Sequence, residues 1–233
     1  MGQAVQLTSP GLTTPRAAAV AGILFSVLFI VSLVLVWISV PDDLHEPGTW
    51  LPRNASRVSL ALHLVPFAGI AFLWFIGVLR DRIGAYEDRF FATVFLGSGL
   101  LFLAMLFASS AMAGGALMVY GAEPGKLMGS GLYLFGRTVT YQIMHVYALK
   151  MAAVFMVSTC TLSIRTGIFP RWMALLGYAL AVLLLFSVRY RHWIPLVFPL
   201  WVLLISLHIL IANFKPDPAP VVERADPMAG PTH

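Results

Sequence analysis

Six stretches of almost uninterrupted apolar residues occupy most of this chain, at 17–38, 58–79, 90–120, 139–164, 172–188 and 193–212. About 20 apolar residues in a helix cross roughly 30 Å of hydrocarbon. A spanning segment must also satisfy its own backbone hydrogen bonds, because no water is present to do so. The expected fold is therefore all-α: a polytopic integral membrane protein built as a bundle of six transmembrane helices. The polar segment 1–16 precedes the 17–212 bundle, and the Pro-rich tail 213–233 is expected to be disordered.

Composition agrees. Of the 233 residues, 59% are hydrophobic and 11% charged, against about 45–50% and about 25% in soluble domains. A water-soluble enzyme, a disordered chain and a nucleic-acid-binding domain all fit such a composition poorly. The net charge of +5 does not favour nucleic acid, because Lys and Arg occur singly or in pairs at the ends of apolar runs. The first run is longer than a signal-peptide core, and no small-residue cleavage site lies before Pro41, so it is expected to stay as a span. The fifth run is at the lower limit of length. The third is too long for a straight perpendicular span, and its small residues at 108–116 mark where it would bend unless it tilts or projects.

Of the Lys and Arg residues, eight (Arg16, Arg80, Arg82, Arg89, Arg165, Arg171, Lys215, Arg224) fall on the side of the termini. Six (Arg53, Arg57, Lys126, Arg137, Arg189, Arg191) fall on the other, and Lys150 lies within the fourth run. This asymmetry predicts both termini in the cytoplasm, in a cell or inner membrane. The longer loops 40–57 and 121–138 then face outward, and neither can fold around a core of its own. Any chemistry must occur within the bilayer or at its surface.

The apolar runs contain no Asp or Glu, which argues against a carboxylate proton relay or an acid-lined cation path. The single cysteine, Cys160, leaves no intrachain disulfide and no Cys-based zinc site. No nucleophile–base–carboxylate set can be assembled, so the chain reads as a non-enzyme. Asn54, Ala55 and Ser56 match a glycosylation pattern by chance. The small residues Ala18, Gly22 and Ser26, and Ser110 with Gly114, are spaced to let helices approach closely, within the chain or between copies.

Two constellations carry possible function. Lys150 lies near the middle of the fourth run, where an ionised lysine costs roughly 2.5–3.5 kcal/mol. Tyr147, Lys150, Ser158 and Thr161 share one face on a 3.6-residue repeat. Such a lysine bonds backbone carbonyls or hydroxyls in the helix interface, moves toward one surface, or holds a ligand. A retinal-type Schiff base lacks its carboxylate counter-ion. The second constellation is His63 and His145, placed at similar depth, with Tyr141 and Gln142 close to His145 in sequence. These two imidazoles suit haem b, a metal ion or quinone, or simply hydrogen bonds between helices. Above them Arg57, Arg137, Arg189 and Arg191 would form an anion-attracting vestibule if they converge.

The working expectation is a binder, transporter or sensor of a small anionic or lipid-like molecule. Its site would be Lys150 with Tyr147, Ser158, His145, His63, Tyr141 and Gln142. The alternatives are a redox subunit using His63 and His145 for haem b or quinone, and a ligand-free accessory subunit docking on a membrane partner or on copies of itself.

Overall fold

The computed structural model describes residues 14–43, 46–83, 89–128, 131–167, 169–187 and 193–212. Every regular element among them is helical: α1 (Thr14–Ser39), α2 (Leu51–Ile83), α3 (Arg89–Ala122), the short α4 (Pro124–Met128), α5 (Leu132–Gln142), α6 (Leu149–Thr166), α7 (Arg171–Phe186) and α8 (Val197–Ala212). A π-helical segment, Ile143–Ala148, joins α5 to α6, and a 3₁₀ turn, Ile194–Leu196, leads into α8. Leu132–Thr166 is thus one continuous rod.

Five stretches are long and apolar enough to cross a bilayer: Ala17–Ser39, Leu51–Arg80, Ala92–Ala122, Leu132–Thr166 and Ile194–Ala212. The chain is an integral membrane protein with a helical bundle. The fifth expected span corresponds to α7, whose 16 residues reach about 24 Å at 1.5 Å per residue, short of the hydrocarbon thickness. Two other expected boundaries move. The second and fourth runs begin as helix at Leu51 and Leu132, about two turns earlier than the apolar pattern. Arg53, Arg57 and Arg137 mark where side chains become polar, but a helix that bonds its own backbone need not stop there. The third run does not break at 108–116, because α3 is continuous over 34 residues. Residues 1–13, 84–88 and the tail from 213 onward lie outside the described residues.

α1 packs between α2 and α8, α3 between α2 and α6, and α7 along α6. At the centre, Phe25, Phe72, Phe95, Phe102, Phe155 and Phe198 come from five different helices and are fully buried or nearly so. Ring centroids lie 4.7 Å apart for Phe25–Phe72, 4.8 Å for Phe95–Phe155 and 4.7 Å for Phe102–Phe198. Lipid tails are as apolar as these rings, so burial from water does not hold such a bundle together; close contact does. Each aromatic pair adds about 0.5–1.5 kcal/mol.

Glycine lets those contacts form. A Cβ on Gly22 would run into the Ser206 hydroxyl of α8 and the Phe75 ring of α2, so this is where three helices close on each other. Ala18 and Ser26 on the same stripe are buried, and Ser26 Oγ returns its hydrogen to the Gly22 carbonyl at 2.8 Å. The small-residue spacing of α1 therefore serves packing within the chain.

Replacing Gly22 by Leu is expected to destabilise the bundle by about 1–3 kcal/mol through overpacking, read as a lower unfolding temperature in detergent. Gly115→Leu, where a Cβ meets nothing within 4 Å, should change stability by less than about 0.5 kcal/mol. Equal effects from the two would show that the α1–α2–α8 contact is not a tight one.

Candidate ligand-binding cavity

Lys150 is a structural cation. Its Nζ donates to the carbonyls of Leu184 at 3.1 Å and Ser187 at 3.3 Å, and to that of Leu185. These are the last carbonyls of α7, for which the helix supplies no donor, and they form the negative end of its dipole. Lys150 lies midway along the 132–166 rod, yet level with the end of the shorter α7. It caps that end.

The rest of the expected stripe follows the same seam. Ser158 Oγ donates to Val154 O at 2.9 Å, and Thr161 shares a 2.7 Å hydrogen bond with the Tyr178 hydroxyl of α7. Tyr147 does not join them; it is 53% exposed. Its departure has a local cause, because the π-helical segment holding it winds more residues per turn than an α-helix. The α-helical phase read from the sequence therefore fails between 147 and 150. Gln142 is exposed as well.

A different face of the rod carries the polar groups that converge. Because the helix starts at Leu132, Tyr133, Arg137, Tyr141 and His145 recur every four residues and stack along one side. The Trp50 indole donates to Tyr133 Oη at 2.9 Å. Arg137 Nη1 approaches the same oxygen and the Glu46 carbonyl, each at 3.4 Å, while Nη2 donates to the Pro41 carbonyl. The guanidinium carbon lies 5.9 Å from the Tyr141 ring centre. Tyr141 and His145 stack with centroids 5.2 Å apart. Arg137 thus ties the rod to the loop that links α1 and α2.

That loop is organised by Glu46. Its carboxylate accepts from the amides of Gly48 at 2.9 Å and Thr49 at 2.8 Å, and from the Thr49 hydroxyl. Gly48 has φ +92°, a conformation that favours glycine. Arg137 Nη1 is 3.9 Å from Glu46 Oε2, too far for a direct hydrogen bond. Partial burial raises the Glu46 pKa; against it, the Thr49 hydroxyl, the Gly48 and Thr49 amides and the Arg137 charge together hold it below the ordinary carboxylate value.

Between α1, α2, α3 and this face of the rod lies a cavity of ≈ 180 Å³. Phe29, Leu62, Leu106, Ala113 and Met144 contribute apolar walls, and Pro195 also borders it. No acidic residue lines it among the described residues. Two of its hydroxyls are engaged in joining helices: Ser32 to the Ala61 carbonyl at 2.8 Å, and Ser109 to the Thr140 carbonyl at 3.0 Å. Arg137, Tyr141 and His145 all border the space. Arg137 is 7% exposed, and its buried Nε–H has no hydrogen-bond partner among the described residues. The cavity is not fully enclosed, and Trp37, which lines it, is 45% exposed.

The expected site residues divide accordingly. Tyr141 and His145 border the cavity, whereas Lys150, Tyr147, Ser158, Gln142 and His63 do not. His63 is exposed on α2, with Nδ1 2.7 Å from the Ser59 carbonyl of its own helix. A haem held by His63 and His145 would need both rings directed into one space, and these residues do not fit that arrangement. No group of three His, Cys, Asp or Glu placed to hold a metal ion occurs among the described residues. Of the four arginines proposed for a vestibule, Arg57 is exposed, Arg137 is buried, and Arg189 and Arg191 lie outside the described residues. Arg137 and Tyr133 were missed as lining residues because the apolar run begins at 139. The four-residue recurrence of Tyr, Arg, Tyr and His was the available signal.

Two predictions follow from these contacts. Lys150→Met should lower stability by about 1–3 kcal/mol by leaving α7 carbonyls without their donor, seen as a reduced unfolding temperature. Glu46 has a folded pKa below its unfolded value, so its contribution is present above the unfolded pKa and lost as pH falls through the folded one. The unfolding temperatures of wild type and Glu46→Gln should therefore differ at neutral pH and converge in acid below the ordinary carboxylate range. A constant gap across that range would rule out the ionised loop anchor. Comparison with known proteins finds no family model that matches this chain, and no curated protein or solved structure similar to it.

Proposed function

We propose that this protein binds, without transforming it, a small and mostly apolar molecule carrying one polar group. The polar group would sit against Arg137, with Tyr141 and His145 beside it, and the apolar part would fill the cavity between α1, α2 and α3. One observation carries this reading: a buried guanidinium with an unused N–H borders an otherwise apolar space. Ligand sites in proteins combine a mainly apolar lining with a few convergent polar groups in this way. An apolar space of similar size in a soluble protein accepts a benzene-sized guest. The mainly apolar lining, with no acidic side chain among the described residues, favours retention, sensing or transfer of the molecule over chemistry on it.

This reading keeps the ligand class expected from the sequence and moves the site from Lys150 to Arg137. The charge asymmetry of the loops supports an outward-facing position for the cavity end of the bundle.

Binding of a polyene lipid probe, parinaryl alcohol, to the full chain in detergent tests the proposal. Trp37 and Trp50 line the cavity and should transfer excitation to a bound polyene. Ala113→Phe, which fills the space, is expected to weaken binding about tenfold or more, the equivalent of roughly 1.4 kcal/mol, at an unchanged unfolding temperature. Undiminished probe binding in a folded Ala113→Phe variant would overturn the cavity as the site.

A further inference from the structure

We infer that the polar end of the molecule taken up beside Arg137 is an oxyanion, a carboxylate or a phosphate monoester, carried by a lipid-like amphiphile. The inference rests on the cavity reading above and specifies its ligand.

Charge at the cavity wall carries the argument. Arginine stays protonated in proteins, so the 7%-exposed Arg137 places a full positive charge at the edge of an apolar space. The Glu46 carboxylate is 3.9 Å away. Both Glu46 oxygens already accept hydrogen bonds from Gly48 and Thr49, so the carboxylate is not in the two-pronged arrangement that neutralises a guanidinium best. Asp42 also belongs to this end of the molecule, but it is exposed, where solvent screens its field. The guanidinium also donates to neutral oxygens of Pro41, Glu46 and Tyr133 and lies against Tyr141. Its Nε–H is left over, buried, and on a residue that lines the cavity.

A buried charge lacking full compensation is costly, and an incoming anion repays more of that cost than a neutral carbonyl does. An oxyanion also suits a guanidinium better than a neutral carbonyl does, because hydrogen bonds between two charged groups are the stronger ones. A cation is disfavoured twice, by Arg137 itself and by the lack of acidic lining residues. The apolar remainder of the lining calls for a hydrocarbon body. Trp37, at once lining and exposed, supplies a route from the surrounding lipid to that body.

The test compares three probes sharing one polyene tail: parinaric acid, parinaryl alcohol and parinaryl phosphate. Each is titrated into the full-length protein in detergent at neutral pH and at two salt concentrations. At least one acidic probe should bind about tenfold or more tightly than the alcohol. Whichever acid does so identifies the head group as carboxylate or phosphate. Arg137→Gln should remove that preference, so that the acidic probes bind no more tightly than the alcohol in the same variant, and Arg137→Lys should restore part of it. The wild-type comparison stands even if both variants fail to fold. Equal affinity of all three probes, lost in Ala113→Phe, would overturn the oxyanion inference and leave the cavity reading intact. No binding of any probe would overturn both.

Discussion

Backbone carbonyls without donors are the constraint around which this bundle is arranged. In water a helix may end anywhere, because solvent takes up its last four carbonyls; beside hydrocarbon it needs a donor from the protein. The polar side chains answer that need repeatedly. Lys150 serves the end of α7, and Asn54 Nδ2 serves the Ser39 carbonyl at the end of α1 at 2.9 Å. Ser32 and Ser109 act differently, tying helices together through carbonyls inside α2 and α5, those of Ala61 and Thr140. Arg137 serves Pro41 and Glu46 in the loop beyond α1. A short α7 is tolerable in a long bundle because a lysine from the adjoining helix closes it.

Against that background Arg137 differs from Lys150 in a way that matters for function. An ammonium set among three carbonyls has a donor for each of them. A guanidinium has five N–H groups in a fixed fork, and the loop and Tyr133 occupy its terminal nitrogens while Nε remains. Two cations thus play different parts. The first completes secondary structure; the second fastens a loop and still presents charge to a space.

The fold was largely legible in the sequence, because a spanning helix must be apolar along its length and few other structures are open to such a chain. Helix boundaries were less so: apolar runs report where side chains meet lipid, whereas helices extend as far as the backbone finds partners. Tyr133 was hidden by that difference, and Arg137 was expected only in a vestibule above the bundle, with Arg57, Arg189 and Arg191. Lys150 was correctly prominent as a cation in an apolar run, and its bond to carbonyls was among the expected outcomes. Which neighbour would supply them depended on α7 ending where it does, and that follows from three-dimensional packing. His63 and His145 lie at matching distances along their runs, but depth along a helix says nothing of azimuth. His63 points out of the bundle and His145 borders the cavity.

The π-helical segment explains how one rod can serve both cations on different sides. Residues four apart on an α-helix advance by about 40° per step, from 100° per residue. A ladder from Tyr133 through Arg137 and Tyr141 to His145 would therefore wind by about 120° and carry its last member off the cavity face. Slower winding begins at Ile143, since a π turn contains more residues than an α turn. It reduces the drift at the final step and keeps His145 beside Tyr141. The same adjustment offsets the phase of α6 relative to α5, so that Tyr147 turns outward while Lys150 meets α7. A strictly α-helical rod would have to give up either the ladder or the cap of α7. The local departure from regular geometry is thus what allows an apolar cavity with a charged wall and a capped short helix to be built from a single continuous segment.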